Sequence, residues 1–151
     1  MMRIRAACPD DADQIGQLIF DTVRSININD YSQEQVEAWA PDSQIFRTYP
    51  ESFAYVAEID GKIVGFANIT PEGYLNRFYT HKDYQGQGMG SLLLTQIEEK
   101  AKLLQLPVIR TEASITAKPF FLSKGWIVKE QQTVFLRGLS FINFKMEKLV
   151  Q

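Results

Sequence analysis

Apolar residues first recur at helical spacing at Ile15, Leu18, Ile19 and Val23. Pro9 suits the first position of such a helix, and Asp10 and Asp11 complement the positive end of its dipole, so the pattern predicts a helix over residues 9–25. A short strand over residues 2–6 precedes it. The polar run Asn27-Ile28-Asn29-Asp30 breaks the helix. Ser32-Gln33-Glu34-Gln35 is then a capping-box pattern opening a second, short helix through Trp39, which Pro41 closes. Residues 42–50 read as a loop or one helical turn.

From Ser52 the period changes to two. Phe53, Tyr55, Ala57 and Ile59 alternate, Asp60-Gly61 is a hairpin turn, and residues 62–70 form a second strand. After the turn at Pro71-Glu72-Gly73, residues 74–81 read as a strand that feeds the stretch Gln85-Gly86-Gln87-Gly88-Met89-Gly90. A long helix follows, with Met89, Leu92, Leu93, Ile97, Ala101 and Leu104 on its apolar stripe and Glu98 and Lys102 as an outward pair. Pro107 ends it; residues 108–113 are a strand, 118–124 a short helix, and Gly125 its stop. Residues 126–136 and 139–148 close the chain as a hairpin around Gly138, with Ile142, Phe144 and Met146 facing one way. The predicted order is β-α-α-β-β-β-α-β-α-β-β, a single α/β domain over residues 1–151 with no repeat or linker.

Composition narrows the classes. The chain has 151 residues, 45% hydrophobic and 23% charged, ordinary for a soluble domain with a sizeable core. Sixteen Lys and Arg against 18 Asp and Glu give a net charge of -2, without the positive field that nucleic acid or an anionic membrane rewards. One cysteine, Cys8, and one histidine, His81, exclude an internal disulfide and Cys-rich or His-pair metal sites, so no metal is expected. No apolar run reaches the length of a membrane span and no signal peptide opens the sequence; the expectation is a cytoplasmic protein.

Three glycines between a strand and a helix put free backbone N–H groups beside the positive end of a helix dipole, which suits a phosphate. Met89-Gly90-Ser91 lacks the lysine of a P-loop, and Ser91 stands where a dinucleotide fingerprint needs Gly or Ala. What the stretch does match is the pattern Gln/Arg-x-x-Gly-x-Gly/Ala.

Here the chain resembles the GCN5-related N-acetyltransferase (GNAT) superfamily, whose pyrophosphate loop for acetyl-CoA has this form at the start of the helix after the fourth strand. The resemblance extends over nearly the whole chain. It includes the N-terminal β-α-α segment, the Asp60-Gly61 hairpin with Ile63-Val64-Gly65-Phe66, and Tyr84-Gln85 leading into the loop. It also takes in Thr111-Glu112-Ala113-Ser114, Ala117-x-x-Phe120-Phe121-x-x-x-Gly125-Trp126, and the Arg137-Gly138 hairpin with Asn143-Phe144-x-Met146. These features suggest a subgroup of small bacterial acetyltransferases.

The resemblance implies a mixed, mainly antiparallel sheet flanked by helices, with acetyl-CoA as cosubstrate. The fourth and fifth strands would splay apart, the backbone of Phe78, Tyr79 and Thr80 would bind the pantetheine arm, and the amides of Gln85, Gly86, Gln87, Gly88, Met89, Gly90 and Ser91 the diphosphate. Ser114 would take the place of an asparagine that bonds the cofactor arm, or else cap the nearby helix. Phe121 stands where many relatives carry the tyrosine that protonates the departing thiolate, so it would pack against the arm, leaving Tyr74, Tyr79 or Ser114 as hydroxyl donors or the thiolate to leave unassisted.

Glu112, near the end of the fifth strand, is the candidate base toward an ammonium substrate, or a surface acid. Strand alternation would put Tyr74 and Asn76 on one face with Phe78, lining the acceptor pocket or packing within the sheet. Tyr31, Trp39 and Phe46 fall in the variable segment that covers the acceptor in relatives, as a substrate wall or as packing. His81 reads as a strand-end residue and Cys8 as part of a helix cap. The function expected is acetyl transfer to a primary amine of a small molecule or protein N-terminus, with a homodimer compatible with the edge strands of the closing hairpin. A non-catalytic acyl-CoA-binding or regulatory module is the alternative, and turnover separates the two.

Overall fold

The computed structural model describes residues 1–151. Strands β1 (Met2–Ala6), β2 (Phe53–Ile59), β3 (Lys62–Ile69), β4 (Tyr74–Thr80), β5 (Val108–Ser114), β6 (Ile127–Leu136) and β7 (Leu139–Leu149) make one sheet in the order β1-β2-β3-β4-β5-β7-β6. Every neighbouring pair is antiparallel except β4 with β5. Helices α1 (Ala12–Ser25), α2 (Gln33–Trp39), α3 (Met89–Leu103) and α4 (Lys118–Ser123) occupy the expected places in the chain. Ser32 caps α2 through the anticipated box: its hydroxyl accepts from Gln35 N–H at 3.1 Å, and the Gln35 side-chain Oε1 accepts from Ser32 N–H at 2.8 Å.

At β3 the sheet is buried on both faces, so Ile63 to Ile69 are all buried without alternation, and Asn68 is the one polar residue among them. On one face, Met89, Leu93, Leu94 and Ile97 of α3 and Phe121 of α4 pack over Val64, Ala67 and Ile69. On the other, Ile15, Leu18, Ile19 and Val23 of α1 and Val36 of α2 pack over Val56, Ile63 and Phe66. Gly65 lies where α3 comes closest: a Cβ there would stand 2.8 Å from Leu93 Cδ1 and 3.0 Å from Met89 Sδ. Arg5 of β1 binds the start of α1 to the sheet, with Nη1 and Nη2 each 2.9 Å from an Asp11 carboxylate oxygen and Nε 3.2 Å from Glu58.

Four expectations need correction. In α3 the stripe runs through Leu94, 2% exposed, rather than Leu92, 49% exposed, because the buried positions 89, 93, 97 and 101 recur every four residues and Leu94 flanks that row on the sheet side. Glu98 pairs with Lys148 of β7 at 3.0 Å, a cross-layer contact replacing the outward pair with Lys102. Ile142 is 41% exposed although Phe144 and Met146 are buried; Phe141 is the buried residue at that end of β7, packed on the α1 face.

The fourth concerns β4, where alternation fails. Asn68 pairs with Arg77 but Ile69 with Leu75, so Asn76 is the extra residue of a β-bulge. Leu75 and Phe78 consequently face α3 together, while Tyr74, Arg77 and Tyr79 are set on the α1 face. Tyr74 therefore does not share a face with Phe78.

Candidate active site

The parallel pair β4 and β5 holds only at Tyr74 with Arg110 and Leu75 with Thr111. Thr111 Oγ1 donates to the Leu75 carbonyl at 2.8 Å and locks this last shared rung. Beyond it the strands part, β5 staying with β7 through Ser114 and β4 with β3 through Thr80. The gap is a cleft of about 440 Å³ lined by the free edges of both strands, the glycine loop and α4. Of the expected residues, Asn76, Phe78, Tyr79, Thr80, Gln85, Gly86, Gly88, Met89, Gly90, Ser91, Glu112, Ser114, Phe121 and Trp39 line it; Tyr74, Gln87 and Tyr31 do not.

The loop presents its backbone. The first helical bond of α3 runs from Leu92 N–H to the Gly88 carbonyl at 3.1 Å, and no amide from Gln85 to Ser91 donates to a main-chain carbonyl. Gly88, at φ +80, caps the helix in the left-handed region, with nothing within 4 Å of where a Cβ would stand. The Gln85 side chain ties the loop to the end of β4, donating at 2.7 Å to both the carbonyl and the hydroxyl of Thr80. The Thr22 hydroxyl, whose one hydrogen goes to the Leu18 carbonyl at 2.8 Å, also lies 3.3 Å from the Thr80 carbonyl.

The two walls differ in chemistry. Toward α3 and α4 the wall is aromatic: the Phe78 ring stacks on Phe120 at 5.4 Å and meets Phe121 at 5.6 Å. Toward α1 and α2 it is polar. Glu112 is exposed and its Oε1 accepts from Gln132 Nε2 at 2.8 Å, while Gln132 also donates to Asn143 Oδ1 at 2.8 Å. Desolvation pushes the Tyr79 phenol up to about 12, against smaller opposing effects of Arg77 and the Trp39 side chain. Ser114 Oγ accepts from Ala117 N–H at 3.0 Å in the turn that leads into α4, whose own cap position is Ala117. Tyr31 is committed too: its hydroxyl donates to the Ile142 carbonyl at 2.7 Å and accepts from Ile115 N–H at 2.9 Å. His81 is likewise committed, its Nδ1 accepting from Asp83 N–H at 3.0 Å. Cys8 is exposed at the start of the first helical segment, outside the cleft.

Sequence reasoning missed Arg77. It is half-buried on the cleft wall, and Nη1 donates to the carbonyls of Phe46 at 3.2 Å and Thr48 at 3.1 Å. The available signal was a lone charge inside the strand sequence Tyr74-Leu75-Asn76-Arg77-Phe78-Tyr79.

Comparison with known proteins agrees with this architecture. A family model for an acetyltransferase (GNAT) domain matches residues 27–148. The chain is 32% identical over 147 residues to the uncharacterised N-acetyltransferase YafP of Escherichia coli (strain K12), covering 96% of this chain and 94% of YafP. A GCN5-related N-acetyltransferase from Rhodopseudomonas palustris superposes with a TM-score of 0.91 at 28% identity, over 97% of this chain and 94% of that one. The PaiA N-acetyltransferase from Thermoplasma acidophilum, solved in complex with coenzyme A, shares the fold at a TM-score of 0.79 and 18% identity, over 99% of each chain. The parted strands, the uncommitted loop amides and these relatives together establish that the chain belongs to the GNAT family of acetyl-CoA-dependent acyltransferases.

Proposed function

We propose that the protein acetylates a primary amine by direct transfer from acetyl-CoA within a ternary complex. The observation that carries this reading is the cleft itself, with free loop amides at one end and the Glu112 carboxylate at its polar wall. The amides of residues 85–91 take the diphosphate, the open edge of β4 at Phe78 and Tyr79 takes the amide groups of the pantetheine arm, and Phe78, Phe120 and Phe121 pack along it. The ammonium substrate loses a proton to Glu112 or to a water that Glu112 orients. The amine lone pair then forms a C–N bond at the thioester carbonyl, the C–S bond breaks to release thiolate, and the nitrogen gives up its second proton to solvent to leave the neutral amide.

No side chain need protonate that thiolate. Transfer from a phenol at about 12 to a thiolate whose conjugate acid is near ~8.5 is uphill by about 5 kcal/mol, so Tyr79 offers a hydrogen bond while solvent supplies the proton. An acetyl-enzyme has no support, since the sole thiol lies outside the cleft. The test is thiol release from acetyl-CoA across a panel of amines, followed by initial-rate kinetics. Intersecting double-reciprocal lines are expected; parallel lines, or an acetylated protein able to acetylate an amine, overturn direct transfer. Coenzyme A binding with no release on any amine favours the binding module.

A further inference from the structure

Arg77 has no carboxylate partner: none of the ion pairs of the molecule includes it. Arg5 is matched by Asp11 and Glu58 and Lys148 by Glu98, whereas Arg24, Lys100, Lys118 and Lys124 are half-buried without a carboxylate as Arg77 is. Arg77 differs from the first three of these in lining the cleft, and from Lys124, which also lines it, in lying on β4. Removing a guanidinium from water costs free energy that two carbonyl contacts through one nitrogen recover only in part. The bonds at Arg77 use Nη1 alone, which leaves Nε–H and the Nη2 pair as donors on one edge of a planar fork, the geometry that grips a carboxylate with two parallel bonds. The group is held in place by the Phe46 ring, whose centroid is 5.4 Å from the guanidinium carbon. It is also at the right height. Counting from the last rung, Leu75 with Thr111, Glu112 and the Asn76–Arg77 bulge are the first positions past the parting of the strands, and both Glu112 and Arg77 line the cleft.

We propose that the amine acceptor also carries a carboxylate, as an amino acid does, and that Arg77 holds it while Glu112 faces the amino group. The inference rests on the acetyl-transfer reading for its meaning, though not for its test. Burial lowers the Arg77 pKa from its usual value, and a guanidinium nevertheless stays charged at neutral pH.

The experiment titrates the coenzyme A complex with each common N-acetyl amino acid and with its carboxamide, by calorimetry. The expected result is at least one carboxylate that binds about tenfold or more tightly than its carboxamide, the range of a charge-assisted hydrogen bond. Arg77→Gln should bring that ratio close to one, and Arg77→Lys should retain part of it. Loosening of the Phe46–Thr48 segment would weaken both members of a pair alike, so the ratio reports the charge rather than the scaffold. No preference in the wild type, or a preference that survives in a folded Arg77→Gln variant, overturns the assignment. Thiol release with the corresponding free amino acids is scored separately. Carboxylate-selective binding without release upholds Arg77 and overturns acetyl transfer; release confined to amines without a carboxylate does the reverse.

Discussion

Glu112 is the one carboxylate on the cleft wall, and Gln132 holds it by an amide hydrogen bond that a glutamine at 112 could still accept. Glu112→Gln thus removes charge and basicity while leaving shape nearly intact. We expect kcat to fall by about 100-fold, within the usual worth of a general base, with acetyl-CoA affinity unchanged. Equal kcat in the two proteins would refute the assignment. Tyr79 makes a contrasting prediction. A phenol pushed up to about 12 is neutral throughout the working range, so it adds no limb to the pH–rate profile below that value. Tyr79→Phe should lower kcat by less than about tenfold, the worth of one hydrogen bond, and leave the profile's shape unchanged. Loss of an alkaline limb in that variant would instead identify Tyr79 as the acid.

Among the elements, α3 would carry the proposed cofactor end of the cleft through its cap. At Gly88 the positive φ, rather than space, restricts substitution, so Gly88→Glu should cost about 1–2 kcal/mol of backbone strain and still fold. Its carboxylate would face the diphosphate, and calorimetry should show acetyl-CoA affinity reduced by at least about 100-fold. Unchanged affinity in the folded variant would remove the loop from the site. At the other end of the chain, the Arg5 guanidinium holds the Asp11 carboxyl down at about 2. A depressed carboxylate pKa stabilises the fold fully above its unfolded value near 3.8, and that contribution, on the order of 2 kcal/mol, is lost as pH falls toward about 2. Urea unfolding between those limits should show a weaker acid dependence for Asp11→Asn than for the wild type. The glycine loop, the Ser32 box and the Asp60-Gly61 turn were legible in the sequence because each is specified by neighbours a few residues apart. The bulge at Asn76 was not, since it exists only as a register against β3. The partner of Glu98 lies 50 residues away on β7, beyond any helical periodicity. Arg77 looks like any strand cation until the fold shows that no acid reaches it.

At the scale of the molecule, the cleft depends on how closely α3 lies on the sheet. Gly65 does not line the cleft, yet a methyl there would meet Leu93 and Met89 and push the start of α3 outward, carrying the glycine loop with it. Gly65→Ala should lower stability by about 1–3 kcal/mol, the usual cost of overpacking, and weaken coenzyme A binding as well. Thermal unfolding and calorimetry measure the two effects; full affinity in a destabilised variant would show that the loop does not depend on this contact. The bulge in β4 has a consequence of another kind. It resets the alternation after Leu75, so that Arg77 and Tyr79 fall on one side of the sheet and Phe78 on the other beside Leu75, and adjacent codons serve different walls of the cleft. On the roles proposed above, replacements at 77 and 79 would alter what can be received, while 78 and the main chain would preserve what is donated. A lineage built on such a strand would change its substrate by point mutation and inherit its cosubstrate intact.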